Sequence, residues 1–338
     1  DDRQPFDVFH RNDKRSDFTN RGDLREEAEL PLKFGAFNLV PFASVRGTYW
    51  DGQPRDSGAL WRGLASFGVR GSTSFSRTYD EIKSELLDIN RIRHIIKPDF
   101  AAWFASSNVR SEYLTPFDYG IESIDGFYGL TMGVRQTWQT KRGAEGRQRT
   151  VDLATLNLEF GLFGNAHGRP EKTDAWANPL RPEDSRTNNY VAGDFSYRLS
   201  DTTSFLYDFN FDVDADKMDH QGVALAVERD PRLSYVLGAR AAGDVHLNFL
   251  GGGWNYKLNE KHITAFRAWW DVDTGQVGEV TFSYIRKLPR WYVGINLGYS
   301  NLGDKFDISL SLWPEGIPEW TLGSKRFSTL GQSTGIRP

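Results

Sequence analysis

Alternation with a period of two is the feature that most restricts what this chain can fold into. Phe205, Tyr207, Phe209, Phe211 and Val213 share one parity, and Ser204, Asp208, Asn210 and Asp212 the other, with Leu206 the lone exception. Trp291, Val293, Ile295, Leu297 and Tyr299 alternate in the same way with Gly294, Asn296, Gly298 and Ser300. Phe306, Ile308, Leu310 and Leu312 do so with Asp307, Ser309 and Ser311. Extended backbone sends successive side chains to opposite faces, so each stretch predicts a strand with one apolar and one polar face. Fifteen such stretches follow one another: 23–31, 36–50, 57–77, 93–105, 128–141, 148–163, 190–199, 203–213, 222–229, 232–241, 246–257, 261–272, 277–287, 290–300 and 305–313. A weaker one at 5–11 brings the total to about sixteen, an even number as in bacterial single-chain outer-membrane barrels. Phase slips near Ala154-Thr155 and at Leu250-Gly251-Gly252-Gly253 predict bulges or bends.

Soluble β-sandwiches also alternate, but two features favour lipid as the partner of the apolar face. The strands are many and long, and aromatics gather near strand ends: Tyr49, Trp50, Trp61, Trp138, Trp254, Trp269, Trp270, Trp291, Tyr299 and Trp313. That placement suits the girdles at a membrane interface. A mean hydropathy of -0.54 is compatible with this, because only alternate strand residues meet lipid. No apolar run approaches the ~18–20 residues of a spanning helix, which excludes crossing by helices. Connections differ in length. Leu32–Gly35, Ser200–Thr202, Leu258–Glu260 and Leu288-Pro289 are short, whereas 106–127 and 164–189 are long and polar. Long loops outside and short turns in the periplasm is the outer-membrane arrangement. The stretch 78–92 is the exception, where Tyr79–Leu87 could form one or two helical turns on the short-turn side.

The expected fold is therefore all-β: an antiparallel transmembrane β-barrel of the outer-membrane type, with about sixteen strands here, complete or part of a larger barrel. Residues 1–338 read as one domain, with 1–22 a weakly structured start and 314–338 a tail after the last strand. The bacterial outer membrane is the expected location. Asp1-Asp2-Arg3 opens no signal segment, so an exported chain is expected to have lost its leader.

Several chemistries find no footing. A net charge of -4 gives no basic excess for nucleic acid, and zero cysteines exclude thiol catalysis, thiolate metal sites and disulfides. None of the six histidines has zinc-binding spacing, and neither a G-x-S-x-G elbow nor a phosphate-cradling glycine loop occurs. Asp212, Asp214, Asp216 and Asp219 hint at calcium, but an EF-hand needs Glu where Val223 stands. No pair of carboxylates stands out for glycoside cleavage. The expectation is a non-enzyme without cofactor or metal. The functional object is the inward polar face, which by parity contains Arg46, Arg70, Lys97, Asp99, Arg135, Glu159, Asp194, Arg198, Asp208, Asp212, Glu228, Arg240, His246, Arg267, Glu279 and Asp307. It is both a wall held by ion pairs and a hydrophilic conduit.

Three stretches resemble a known family. Phe9-His10-Arg11-Asn12-Asp13, Asn20-Arg21-Gly22-Asp23-Leu24 and Glu29-Leu30-Pro31-Leu32 look like the mid-barrel part of lipopolysaccharide-assembly outer-membrane proteins of the LptD/OstA type. Arg93-His94-Ile95-Ile96-Lys97-Pro98-Asp99-Phe100 resembles that family's H-x-I-x-P strand, followed by Pro116-Phe117-Asp118-Tyr119-Gly120 and Gly129-Leu130. The end is also similar: Asp307–Leu312, Gly323, then a polar tail without a terminal Phe. The resemblance covers most of the chain but only the C-terminal part of the family's barrel. The family's periplasmic jelly roll and disulfides have no counterpart in this sequence.

The resemblance implies a translocon that inserts lipopolysaccharide or a related glycolipid into the outer leaflet. Its partners would be that glycolipid, outer-membrane lipids, a plug lipoprotein and periplasmic bridge proteins. It implies a lateral seam at 305–313, lined by Phe306, Ile308, Leu310 and Leu312 and stopped by Pro314, since proline cannot donate to a ladder. The alternatives are a general diffusion porin, with 106–127 or 164–189 folded inward as a constriction, and a structural barrel in an envelope complex.

Overall fold

In the computed structural model the described residues are 20–52, 58–110, 113–114, 121, 126–143, 146–164, 189–242, 247–301, 304–315 and 322–323. They form eighteen strands in one sheet. In chain order these are β1 (Arg21–Glu29), β2 (Leu32–Phe34), β3 (Phe37–Trp50), β4 (Leu60–Ser72), β5 (Phe75–Ser84), β6 (Ile89–Ser107), β7 (Tyr128–Arg142), β8 (Arg149–Gly164) and β9 (Tyr190–Arg198). There follow β10 (Thr203–Asp212), β11 (Lys217–Asp230), β12 (Leu233–Ala242), β13 (Leu247–Asn259), β14 (His262–Asp271), β15 (Gln276–Lys287), β16 (Trp291–Ser300), β17 (Lys305–Pro314) and the two-residue β18 (Leu322–Gly323). Taking β1/β2 and β4/β5 as single interrupted strands, and setting β18 aside, fifteen remain, at the fifteen stronger positions expected from alternation. No helix of the described residues is long and apolar enough to cross a membrane.

The distribution of polarity is inverted relative to a water-soluble protein. In β3, Ser44, Arg46 and Thr48 are buried while Val45 and Tyr49 are exposed. In β4, Arg62 and Ser66 are buried while Trp61 and Phe67 are exposed. The extremes are Arg62 and Asn210 at 0 % exposure against Ile308 at 68 % and Phe306 at 65 %. A sheet that encloses guanidinium and amide groups and presents isoleucine and phenylalanine has an apolar solvent on its outer side. The fold class is thus the expected one, all-β and antiparallel, of the outer-membrane β-barrel type.

Contacts divide the chain into two compact units. The first comprises 1–72, 100–131 and 161–188; the second comprises 73–99, 132–160 and 189–338. In the first, β3 is the hub, pairing β1 from Arg21↔Trp50 to Glu29↔Phe42 and β4 from Asn38↔Ser72 to Trp50↔Leu60. In the second, β9 to β17 form an uninterrupted antiparallel meander. Its shortest connections, at 231–232 and 260–261, lie at one end, as strict antiparallel order requires.

Several local expectations need correction. Tyr79–Leu87 forms no helix: β5 runs to Ser84, and a turn closed by Asp88 N–H on the Glu85 carbonyl (3.3 Å) returns the chain to β6. Threonine, tyrosine and isoleucine in this stretch favour extended backbone, and β6 offers a ladder. Leu32–Gly35 is not a loop, because Leu32–Phe34 pairs with β3 and only Gly35 and Ala36 turn, with Gly35 at a φ of 62°. Gly251-Gly252-Gly253 makes no bulge, since β13 keeps register with β12 and β14 through all three residues. The glycines instead admit close neighbours: a Cβ on Gly251 would lie 2.3 Å from Trp269 Cε3. Bulges fall elsewhere, at Asn210/Phe211, Glu228/Asp230, Lys257/Asn259 and Trp269/Trp270. The ladder does not stop before Pro314, which pairs with Trp291, and Glu315 N–H still donates to Arg290 O at 2.9 Å. The weak strand at 5–11 lies outside the described residues, as do His246 and nearly all of 164–189 and 314–338.

Candidate functional site

The polar faces of the two units form the candidate site, and each follows from strand parity plus register. In the first unit, Asp23, Arg25, Glu27 and Glu29 take the odd positions of β1, Arg46 and Thr48 the even positions of β3, and Arg62 and Arg70 the even positions of β4. Arg46 donates from Nη2 to Asp23 Oδ2 at 2.9 Å, and the Thr48 hydroxyl donates to Asp23 Oδ1 at 2.7 Å. Arg70 donates to Glu27 at 2.9 Å, also bonds Glu29, and lies 4.0 Å above the Phe42 ring. This is a cross-strand ladder of opposite charges on the buried face, where low dielectric strengthens each pair.

Arg62 makes a different connection. It is fully buried, its Nη2 donates to the carbonyl of Ile121 at 2.9 Å, and its guanidinium stacks 5.3 Å over Trp50. Ile121 belongs to the long connection 106–127, and Leu114 of the same connection is buried as well. Beside it the same face turns apolar: Phe42, Ala101, Trp103 and Phe127 form a buried cluster with Phe163 packed against it. The described points of this connection therefore rest on the polar face. Parity analysis named Arg70 but not Arg62, although both hold even positions of β4; that shared parity was the available signal.

In the second unit Asp99 pairs with Arg135 at 3.7 Å, and Glu159 accepts from the Tyr190 hydroxyl at 2.5 Å. Asn157 Nδ2 donates to Asp194 at 2.8 Å, and the Thr155 and Ser196 hydroxyls bond each other at 2.7 Å. Asp208, Asn210 and Asp212 follow on β10. Asp212 accepts from the backbone of Asp214 and Ala215 at 2.9 and 3.0 Å, which accounts for the aspartate run as a turn cap. Farther along, Arg267 and Glu279 share the parity of this face, and Ser283 donates to Asn296 at 2.5 Å. The nine charged residues singled out by parity thus all stand on polar faces: Arg46 and Arg70 in the first unit, and Asp99, Arg135, Glu159, Asp208, Asp212, Arg267 and Glu279 in the second. Among the described residues no three acidic or histidine groups converge to hold a metal ion.

The residues expected at a seam occupy the opposite face. Phe306, Ile308 and Leu310 are exposed and Leu312 is half-buried. β17 pairs with β16 at ten positions and with β18 at two, Ser311↔Gly323 and Leu312↔Leu322.

At the short-turn end of the second unit, buried Arg142 collects three chain segments. It donates to the carbonyls of Leu87 (3.4 Å), Asp88 (3.3 Å) and Arg198 (3.3 Å) and to the Asp201 carboxylate (3.3 Å). Arg149 adds a second bond to Asp201 at 2.9 Å. Slight desolvation pushes the Asp201 carboxyl up, but these two guanidinium groups outweigh it and hold its pKa below the ordinary value.

Comparison with known proteins gives fold-level neighbours only. No family model and no curated protein matches this sequence. Among solved structures, a mutant of the Rh. blastica porin aligns at a TM-score of 0.40 and 9 % identity, covering 89 % of this chain and 93 % of that one. The copper transporter OprC aligns at a TM-score of 0.36 and 12 % identity, over 87 % of this chain and 56 % of that one. At such similarity no substrate or partner passes to this chain.

Proposed function

We propose that this protein is a channel of the bacterial outer membrane through which small polar solutes diffuse, with the connection 106–127 folded inward as a constriction. The observation that carries this is the bond from buried Arg62 to Ile121, with Leu114 buried beside it. A long connection tied to the charged face narrows whatever path that face lines. The ladders of Arg46, Arg70 and Asp23 and of Asp99, Arg135 and Asp194 supply a wettable wall, and the apolar face meets lipid. Transport here needs no reacting group, in keeping with a non-enzyme.

The test is ion conductance of the full chain in planar bilayers. Steady open-pore currents in potassium chloride are expected. Their absence from protein shown to be inserted by protease protection would refute the channel.

Glycolipid insertion through a lateral seam is the second reading. In its favour is the contrast at β17 between ten paired positions on one edge and, among the described residues, two on the other. A weakly paired edge opens at low cost, since each ladder bond is worth roughly 0.5–1.5 kcal/mol net. Crosslinking of lipopolysaccharide to photoreactive groups at Ile308 or Leu310 would support it, with a plug lipoprotein and bridge proteins then sought as partners. Conductance with no such crosslink leaves the porin-type channel.

A further inference from the structure

The polar face of β8 to β11 carries more acceptors than its own donors account for. Asp194 and Asp208 stand directly opposite each other in the β9–β10 ladder. Facing like charges destabilise a sheet. Asp208 leans into space left by a glycine, because a Cβ on Gly222 would lie 2.6 Å from its Oδ1. One position further on the same face is Asn210, fully buried. Its Nδ2 donates to Asp219 at 2.8 Å, and its Oδ1 has no hydrogen-bond partner. Asp212 comes next. His220 lies 3.6 Å from Asp208 and 3.7 Å from Asp219. The positive groups nearby are Arg135, whose charge reaches Asp194, and Arg240, which faces Gly222 across the β11–β12 ladder.

An orphaned buried acceptor and two facing carboxylates are both relieved by the same thing, a cation that carries N–H groups. Spacing selects the kind of cation. Alternate residues of a strand lie roughly 6.5–7 Å apart, and facing residues of an antiparallel pair about 5 Å. The acceptors at 208, 210 and 212 therefore form a row roughly 13 Å long. A metal ion wants its ligands about 2–2.6 Å from one centre, and no such convergence exists among the described residues. An extended chain with several ammonium groups fits the row.

We propose that the polar face of β8 to β11 is a binding site for linear polyammonium compounds. One ammonium sits between Asp194 and Asp208, and the next meets Asn210 Oδ1 and Asp212. For transport this rests on the channel reading, with such compounds as preferred solutes; binding itself does not depend on conductance.

The full chain in detergent micelles is titrated calorimetrically with spermidine. Saturable binding is expected, weakened about tenfold or more in Asp208→Asn and in Asn210→Leu, which removes the acceptor without changing charge. Glu260→Gln, a turn residue away from this face, should bind as the parent does. Circular dichroism identifies any variant that has lost its sheet, and the other variant then decides. Absence of saturable binding, or equal weakening in Glu260→Gln, overturns the site. Binding without bilayer conductance keeps the site and overturns the channel; conductance without binding does the reverse.

Discussion

Replacing Arg62 with methionine removes the guanidinium but keeps most of the side-chain volume, so it isolates the tie between β4 and the connection 106–127. Two contacts disappear. The charge-assisted hydrogen bond to Ile121 at 2.9 Å is worth about 1.5–3 kcal/mol net. The stack over Trp50 at 5.3 Å adds about 0.5–2 kcal/mol. Loss of roughly 2 kcal/mol shifts the balance between attached and detached connection about thirtyfold, at 1.36 kcal/mol per tenfold. Single-channel conductance of Arg62→Met should rise, and thermolysin should cut within 106–127 faster. Arg62→Lys keeps the charge but loses the planar fork, and should fall between the two. Unchanged conductance together with unchanged cleavage in Arg62→Met would show that this bond does not hold the constriction, and the argument from it would fail.

Other expectations follow from single positions. Ile308→Lys puts a charge on the lipid side, and urea unfolding from vesicles should show a loss of about 2–4 kcal/mol if the residue lies near the midplane. No loss would place that face in water. Gly251→Ala forces a methyl group against Trp269 Cε3 and the Ala268 carbonyl, at 2.3 and 2.6 Å. It should cost about 1–3 kcal/mol, read as a lowered thermal midpoint. Asp201 has a depressed folded pKa, so its contribution is complete above the unfolded carboxyl value of 3.8 and fades as pH falls through the lower folded value. Asp201→Asn should remove that part of the acid sensitivity of the short-turn end, measured by amide exchange at Leu87 and Asp88. An identical pH profile in the variant would mean that the contact with Arg142 is energetically idle.

Strand parity was legible in the sequence because it is a local property. Whether Asp208 faces with Asp212 or against Tyr207 depends only on two intervening peptide units, whatever the strand pairs with. Fifteen strand positions and all nine singled-out charged residues could therefore be placed on a face without coordinates. The clustering of aromatics near strand ends likewise needed only position along the chain. What lies between strands was not legible in that way. Asp194 meets Asp208 only because the β9–β10 register makes them partners, and a slip of one residue would have set Asp194 against a side chain of the other face. Arg62 and Ile121 are separated by 59 residues, Arg142 and Leu87 by 55, and no periodicity spans such distances. Gly251–Gly253 looked like a bend because glycine is permissive in isolation. Only the packed neighbours, the Trp269 ring and the carbonyls of Val236 and Phe266, show that absence of a side chain was the requirement. Pattern along the chain decides which side of the sheet a residue occupies; the three-dimensional register decides what it meets there.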